Sequence, residues 1–313
     1  MEHLSYALSA TVPVFLLMLA GVFLRRRGIM TESFARGANT YVFKIALPLN
    51  LFVQLADISL FEVWDTGFVI FCLSATVLSI FLACLIARLF VQGELRGEFV
   101  QAAYRSSASL LGMALIENLY GTVTVGSLMI LGSVPAYNVA AVIVLSLLGP
   151  AGGIRKGDIQ KTLRGILTNP IILGVLGGFL VSCLPWKMPG ILRTTLGDIG
   201  KTATPLGLMA MGAQMETGKI RERLKEASLA GALKLVGFGI LFLPLAILLG
   251  FRGEKLIAIV VMLGSATTVA GYIMARQMGH EGALTQATVM LTTVLSAFTL
   301  TFWIYLVRLL GYV

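Results

Sequence analysis

The sequence predicts an all-α polytopic membrane protein: ten transmembrane helices arranged as two inverted five-helix repeats. Three observations carry that class. Charged residues make up 12% of the 313 positions and apolar ones 57%, where an ordinary soluble domain is about 25% charged. Mean hydropathy is +0.90, more apolar surface than a soluble fold of this length hides. Finally, the chain matches itself at a shift of 157 residues, the separation of Pro48 from Pro205. The first two exclude a soluble enzyme, a disordered chain and a small disulfide scaffold.

At about 20 residues per crossing, the apolar runs place spans at Leu4–Leu24, Ala38–Ala56, Asp65–Val91, Glu98–Leu119 and Thr122–Leu148. The remaining five are Arg164–Leu184, Thr194–Met215, Ser228–Gly250, Glu254–Gly279 and Ala283–Leu310. The runs are continuously apolar rather than alternating, so helices are expected and not barrel strands. The first run carries its arginines after it (Arg25, Arg26, Arg27) and is long enough to span, so it reads as a helix rather than a cleaved leader. Cys72, Cys84 and Cys183 lie in apolar stretches without metal-ligand spacing and read as small hydrophobes.

The net charge of +9 and pI near 9.7 then describe topology rather than nucleic-acid binding, because the basic residues cluster between apolar runs. With the N-terminus outside, fifteen Lys and Arg fall on the cytoplasmic side and six outside. Both termini are therefore expected to face outward. Lys44, Arg105 and Lys234 lie inside spans, in their cytoplasmic halves.

The 157-residue shift sets Thr11 and Pro13 on Thr168 and Pro170, Pro48 on Pro205, Arg36 on Arg193 and Lys44 on Lys201. Prolines and basic residues are scarce here, so these matches outweigh chance Leu and Ala coincidences. The expected organisation is a first repeat over 1–150, a connecting cytoplasmic loop over 151–163 and a second repeat over 164–313. Five spans per half is an odd number, so the halves are inverted about an axis in the membrane plane. Inverted halves that exchange conformations alternate access from side to side; the bland alternative is a duplication with no mechanical role.

Such carriers bind near the midplane, where helices are interrupted. Span four carries Arg105, Ser106, Ser107, Ser109, Gly112 and Ala114; the matching part of span nine carries Ser265, Thr267, Thr268 and Gly271. Small and hydroxyl residues at mid-span either loosen a helix or let two helices pack tightly. The N-terminus of a half-helix at a gap would favour an anion such as a carboxylate. Arg105, about 6 Å of helix rise from the span centre, would guide that anion, or else form a structural salt bridge or snorkel to the interface. Glu117, near the outer end of the same span, is a coupling candidate or an interfacial carboxylate. Asn50 and Gln54 share one helix face past Pro48, and Tyr137 and Asn138 follow Pro135. Each of these four is a ligand contact or an interhelical hydrogen bond.

Four stretches carry a family resemblance: NPIILGVLGG at 169–178, TPLGLMAMGAQ at 204–214, LLGMALIENLYG at 110–121 and VPAYN at 134–138. In that order they resemble the auxin efflux carrier family, whose bacterial members include malonate transporter-like permeases and whose fold is related to the bile-acid/sodium symporters. The resemblance implies that spans four and nine are broken and cross at the substrate site. It also implies a scaffold, often dimerising, built from spans one, two, six and seven. The family's polar residue before the first break falls on Ser107, and the crossover prolines of many members fall on Ala114 and Gly271.

The function expected is a secondary carrier for a small organic anion, malonate or another carboxylate, in a bacterial inner membrane. Its expected partners are that anion, the lipid bilayer and a second copy of the chain, with no cofactor, metal or nucleic acid. A sodium-coupled symporter of the bile-acid type is the alternative, although no acidic residue lies between Val261 and Gly271 to supply a strong cation ligand. An intramembrane enzyme is disfavoured, since His3 and His280 are terminal or in a loop and no catalytic set accompanies them.

Overall fold

A computed structural model describes residues 2–58, 64–108, 113–121, 124–148, 164–165, 167–184 and 188–313. Every regular element among these residues is helical. In chain order they are α1 (Glu2–Arg26), α2 (Glu32–Tyr41), a π-helical turn (Val42–Ala46), α3 (Leu47–Ala56), α4 (Thr66–Phe90), a 3-10 turn (Gly93–Leu95), α5 (Arg96–Tyr104), α6 (Met113–Tyr120) and α7 (Thr124–Leu147). Then follow α8 (Pro170–Ser182), α9 (Gly190–Lys201), α10 (Ala203–Ala213), α11 (Thr217–Glu222), α12 (Leu224–Ala232), a second π-helical turn (Leu233–Gly237), α13 (Phe238–Leu248), α14 (Gly253–Gly264), α15 (Val269–Gln277) and α16 (Ala283–Leu309). The expected loop 151–163 lies outside the described residues.

Length and apolarity alone qualify four described helices as membrane-crossing: Thr66–Phe90, Thr124–Leu147, Leu224–Leu248 and Ala283–Leu309. A fifth results if α14 and α15, bent by 41° at a short break, count as one span. Their outer faces expose large apolar side chains, including Phe81 and Leu89 on α4 and Phe298 and Phe302 on α16. Such a surface is stable against lipid and not against water. The molecule is an integral membrane protein.

Local chemistry sets the helix ends. Thr31 caps α2 by accepting from the Phe34 amide, and Asp65 caps α4 by accepting from the Phe68 amide at 3.0 Å. Asn169 caps α8 with Pro170 as its first residue, where a missing N–H costs nothing. Glu98, buried on α5, accepts from the Gly282 and Thr285 amides and the Thr285 hydroxyl. It thereby places a carboxylate on the free N–H groups that open α16.

Tight crossings hold α1 against α10 and α3 against α8. A Cβ on Gly21 would lie 2.0 Å from the Met209 carbonyl oxygen, and one on Gly212 would lie 2.0 Å from that of Met18. Lipid supplies no hydrophobic drive between helices, so this backbone contact is what small residues contribute.

Helix ends recur along the chain. α5 and α14 begin at Arg96 and Gly253, and α6 and α15 end at Tyr120 and Gln277. Both pairs stand at the separation that sets Pro48 on Pro205. α3 matches α10, and α4 matches the α12–α13 unit, to within one residue at that same shift.

Candidate functional site

Two interruptions meet in the interior. The first follows Tyr104, where Arg105 turns to extended backbone (ψ 131°). The second separates α14 from α15, with Ser265 and Thr268 extended. A broken helix strands its last carbonyls and first amides, and in a membrane these must find partners inside the protein. Here they find one another. The Ser107 amide donates to the Ala266 carbonyl at 2.9 Å, and the Thr267 hydroxyl donates to the Ala102 carbonyl at 2.7 Å. Ser106 donates to the Met262 carbonyl, and the Gln101 amide donates to the Gly271 carbonyl at 2.7 Å. The Thr267 amide is taken up by the Thr292 hydroxyl of α16 at 3.0 Å.

Beside this junction lies a cavity of about 50 Å³, whose lining includes Asn50, Gln54, Arg105, Ser106, Ser107, Tyr137, Asn138 and Thr268. A second cavity, of about 250 Å³, adjoins it and shares Ser107, Thr204, Thr268 and Val269 in its lining. One water needs about 10–15 Å³ on this measure, so both have room for more than a single solvent molecule. α3, α7 and the N-terminus of α15 enclose the smaller one, and Thr268 caps α15 by accepting from the Ala270 amide at 3.2 Å.

Arg105 dominates the electrostatics. It is 3% exposed and makes no ion pair among the described residues. One terminal nitrogen donates to the Asn138 Oδ1 at 2.6 Å and the other contacts the Met274 sulfur at 3.1 Å. Its Cζ stands 5.6 Å from the Tyr137 ring centroid, a cation–π contact. Its Nε–H is buried without a partner. Asn138 is itself fixed by donating to the Val134 carbonyl at 2.9 Å. A buried guanidinium held by neutral groups is complementary in charge to an anion entering the cavity. The Gln54 Oε1 is likewise buried without a partner.

Of the residues singled out in the sequence, Asn50, Gln54, Arg105, Ser106, Ser107, Tyr137, Asn138 and Thr268 converge on one cavity. Thr267 lines the adjoining one, with its hydroxyl engaged by Ala102. Gly271 packs behind the junction, where an added Cβ would touch Arg105 and Gln101 at ordinary distance. Glu117 is exposed on α6 and lines neither cavity. Ala114 lies in α6, while Ser109 and Gly112 fall outside the described residues.

Two participants were not among the candidates read from the sequence. Lys234, 1% exposed in the second π-helical turn, donates to Ser106 and to the Met262 and Leu263 carbonyls, the latter at 2.7 Å. Gln101, fully buried, ties α5 to α15. An ionisable residue inside the apolar run 228–250 was the available signal for Lys234. Gln101 had none beyond its polarity.

Interrupted helices meeting beside a polar cavity, within an integral membrane protein, define a transporter-like architecture. The comparisons with known proteins agree. A family model described as membrane transport protein matches residues 6–304. The chain belongs to that family, the auxin efflux carriers. It is 24% identical over 297 residues to an "Uncharacterized transporter" of Methanothermobacter thermautotrophicus, covering 93% of this chain and 95% of that one. It is 24% identical to a "Putative malonate transporter" of Rhizobium meliloti, covering 86% of each chain. It is also 27% identical to the mouse "Lysosomal cholesterol signaling protein", over 75% of this chain but 29% of that longer one.

Proposed function

We propose that this protein is a secondary carrier for a small organic anion, such as malonate or another carboxylate, working by alternating access around the cavity beside Arg105. The observation that carries the reading is Arg105 itself. It is a buried cation lining the cavity where two interrupted helices meet, with one N–H unpartnered and no carboxylate partner among the described residues. An entering carboxylate would supply charge-assisted hydrogen bonds that no described carboxylate supplies. Ser107, Thr268 and the N-terminus of α15 line the same cavity. Malonate in the name of the Rhizobium relative supports the substrate class.

The alternating framework is two inverted five-helix halves, 1–150 and 164–313, joined by the segment 151–163. The recurrence of helix ends at one constant shift supports it. So does the meeting of the α5 and α14 interruptions. In this reading α1, α3, α8 and α10 form a scaffold against which the crossing helices move, and a second copy docks on that scaffold. The membrane is a bacterial cytoplasmic membrane with both termini outside, following the basic-residue bias.

Uptake by proteoliposomes carrying the purified chain tests the proposal against a labelled panel of acetate, malonate and succinate. Saturable entry or exchange of at least one above protein-free liposomes is the expected result. Uptake equal to that of empty liposomes for the whole panel overturns it.

A further inference from the structure

Lys234 is a buried cation with neutral oxygens for partners. Its Nζ donates to the Ser106 hydroxyl, at the first interruption, and to the Met262 and Leu263 carbonyls, at the end of α14. Those two carbonyls belong to the last turn of α14, which has no intrahelical donors and carries the negative end of the helix dipole. One ammonium thus bridges both interruptions, in the manner in which a bound monovalent cation would gather oxygens from two elements.

The bridge depends on the proton count. An ammonium has three N–H donors and no lone pair, which matches the three oxygens it meets. A neutral amine has two donors and a lone pair. It would therefore release one of these oxygens, or draw the Ser106 hydroxyl away from Met262, and in either case would lose its attraction for the end of α14. The charge state of Lys234 decides how firmly the two interrupted helices are joined.

The surrounding charges leave this group to act alone. On the α5 side stand Arg105, directed to Asn138 and Met274, and Glu98, engaged by Gly282 and Thr285. Arg96 and Tyr104 occupy the two ends of α5, with Arg96 bonded to the Val91 carbonyl and Tyr104 to the Tyr137 carbonyl. α12 contributes Lys225 and Glu226 two turns away, α14 contributes Glu254 and Lys255 at its far end, and α16 contributes Tyr305 and Arg308 at its far end. α13 carries no titratable side chain, and none of the others contacts the ammonium.

We propose that Lys234 is the proton-coupling site of this carrier. A proton taken up on the amine lone pair from one side of the membrane is released on the other as the crossing helices rearrange, accompanying the anion. This deepens the reading of the Arg105 cavity as an anion site and rests on it.

The test uses proteoliposomes of the full chain and labelled acetate, malonate and succinate, with sodium replaced by choline throughout. Accumulation driven by an imposed pH gradient, abolished by a protonophore, is the expected result. The Lys234→Gln variant is expected to lose that accumulation while retaining exchange between equal pools on the two sides, a split that a merely structural lysine would not produce. Exchange by the wild type that ignores the pH gradient, or gradient-driven accumulation by Lys234→Gln equal to wild type, overturns the coupling and leaves the anion site standing. Neither accumulation nor exchange by the wild type takes down both. Should Lys234→Gln not fold, Ser106→Ala decides: coupling through the bridge predicts a displaced pH dependence of uptake, and an unchanged one overturns it.

Discussion

The Ser107 amide donates to the Ala266 carbonyl at 2.9 Å, joining the middle of one interrupted helix to the middle of another from the opposite half of the chain. Neither residue offers a side chain for this bond, and both breaks are needed to free the two groups. Ser107 also lines both cavities. Ser107→Leu keeps the backbone bond and fills the space. Transport is expected to be abolished while the monodisperse, thermally folded fraction of the purified protein stays at the wild-type level.

Asn138 sets the direction of the Arg105 guanidinium at 2.6 Å. A hydrogen bond to a charged group contributes about 1.5–3 kcal/mol, and 1.4 kcal/mol is about tenfold in an equilibrium constant. Asn138→Leu is therefore expected to weaken carboxylate affinity by about tenfold or more, as read from the concentration giving half-maximal uptake.

Gly212 touches the Met18 backbone so closely that a Cβ has no place. Gly212→Val must push α1 and α10 apart, and overpacking of this kind costs about 1–3 kcal/mol. A lowered midpoint of thermal unfolding in detergent is the expected outcome, larger than that of Gly197→Ala, where an added Cβ meets open space.

Asp65 caps α4 and pairs with Lys255 at the start of α14. The hydrogen bond from Lys255, then that from the Phe68 amide, holds its carboxyl below the ordinary carboxylate range. A carboxyl lowered by folding stabilises the fold above its unfolded value, about 3.9, and that contribution disappears as acid protonates it. Asp65→Asn is expected to lower the unfolding midpoint at neutral pH and to flatten its decline as the pH falls below about 4.

Much of this arrangement was legible in the sequence. The scarcity of charge fixed the class, and the Pro48–Pro205 match announced the recurrence that helix ends such as Arg96 and Gly253 display. The pattern of hydroxyl and small residues left loosened helices and tight packing both open, and the family resemblance chose the breaks; such residues both tolerate and satisfy broken backbone. Asn50, Gln54, Tyr137 and Asn138 stood out as polar residues in apolar runs, and they do share a cavity with Arg105. Lys234 and Gln101 escaped because their role is pairwise. Their partners are backbone carbonyls, Met262, Leu263 and Gly271, whose availability exists only once the helices break. Nothing in the identity of a methionine or a leucine announces an unpaired carbonyl. Glu117 shows the converse, an ionisable residue in a span that the fold leaves exposed.

Whether Arg105 holds the substrate is decided by equilibrium binding of a transported carboxylate to purified wild-type protein and to Arg105→Met, with folding checked by thermal unfolding. Saturable binding by the wild type is expected, with an affinity lowered by about tenfold or more in a folded Arg105→Met, since the lost contact is charge-assisted. Equal affinity in the two folded proteins would contradict it.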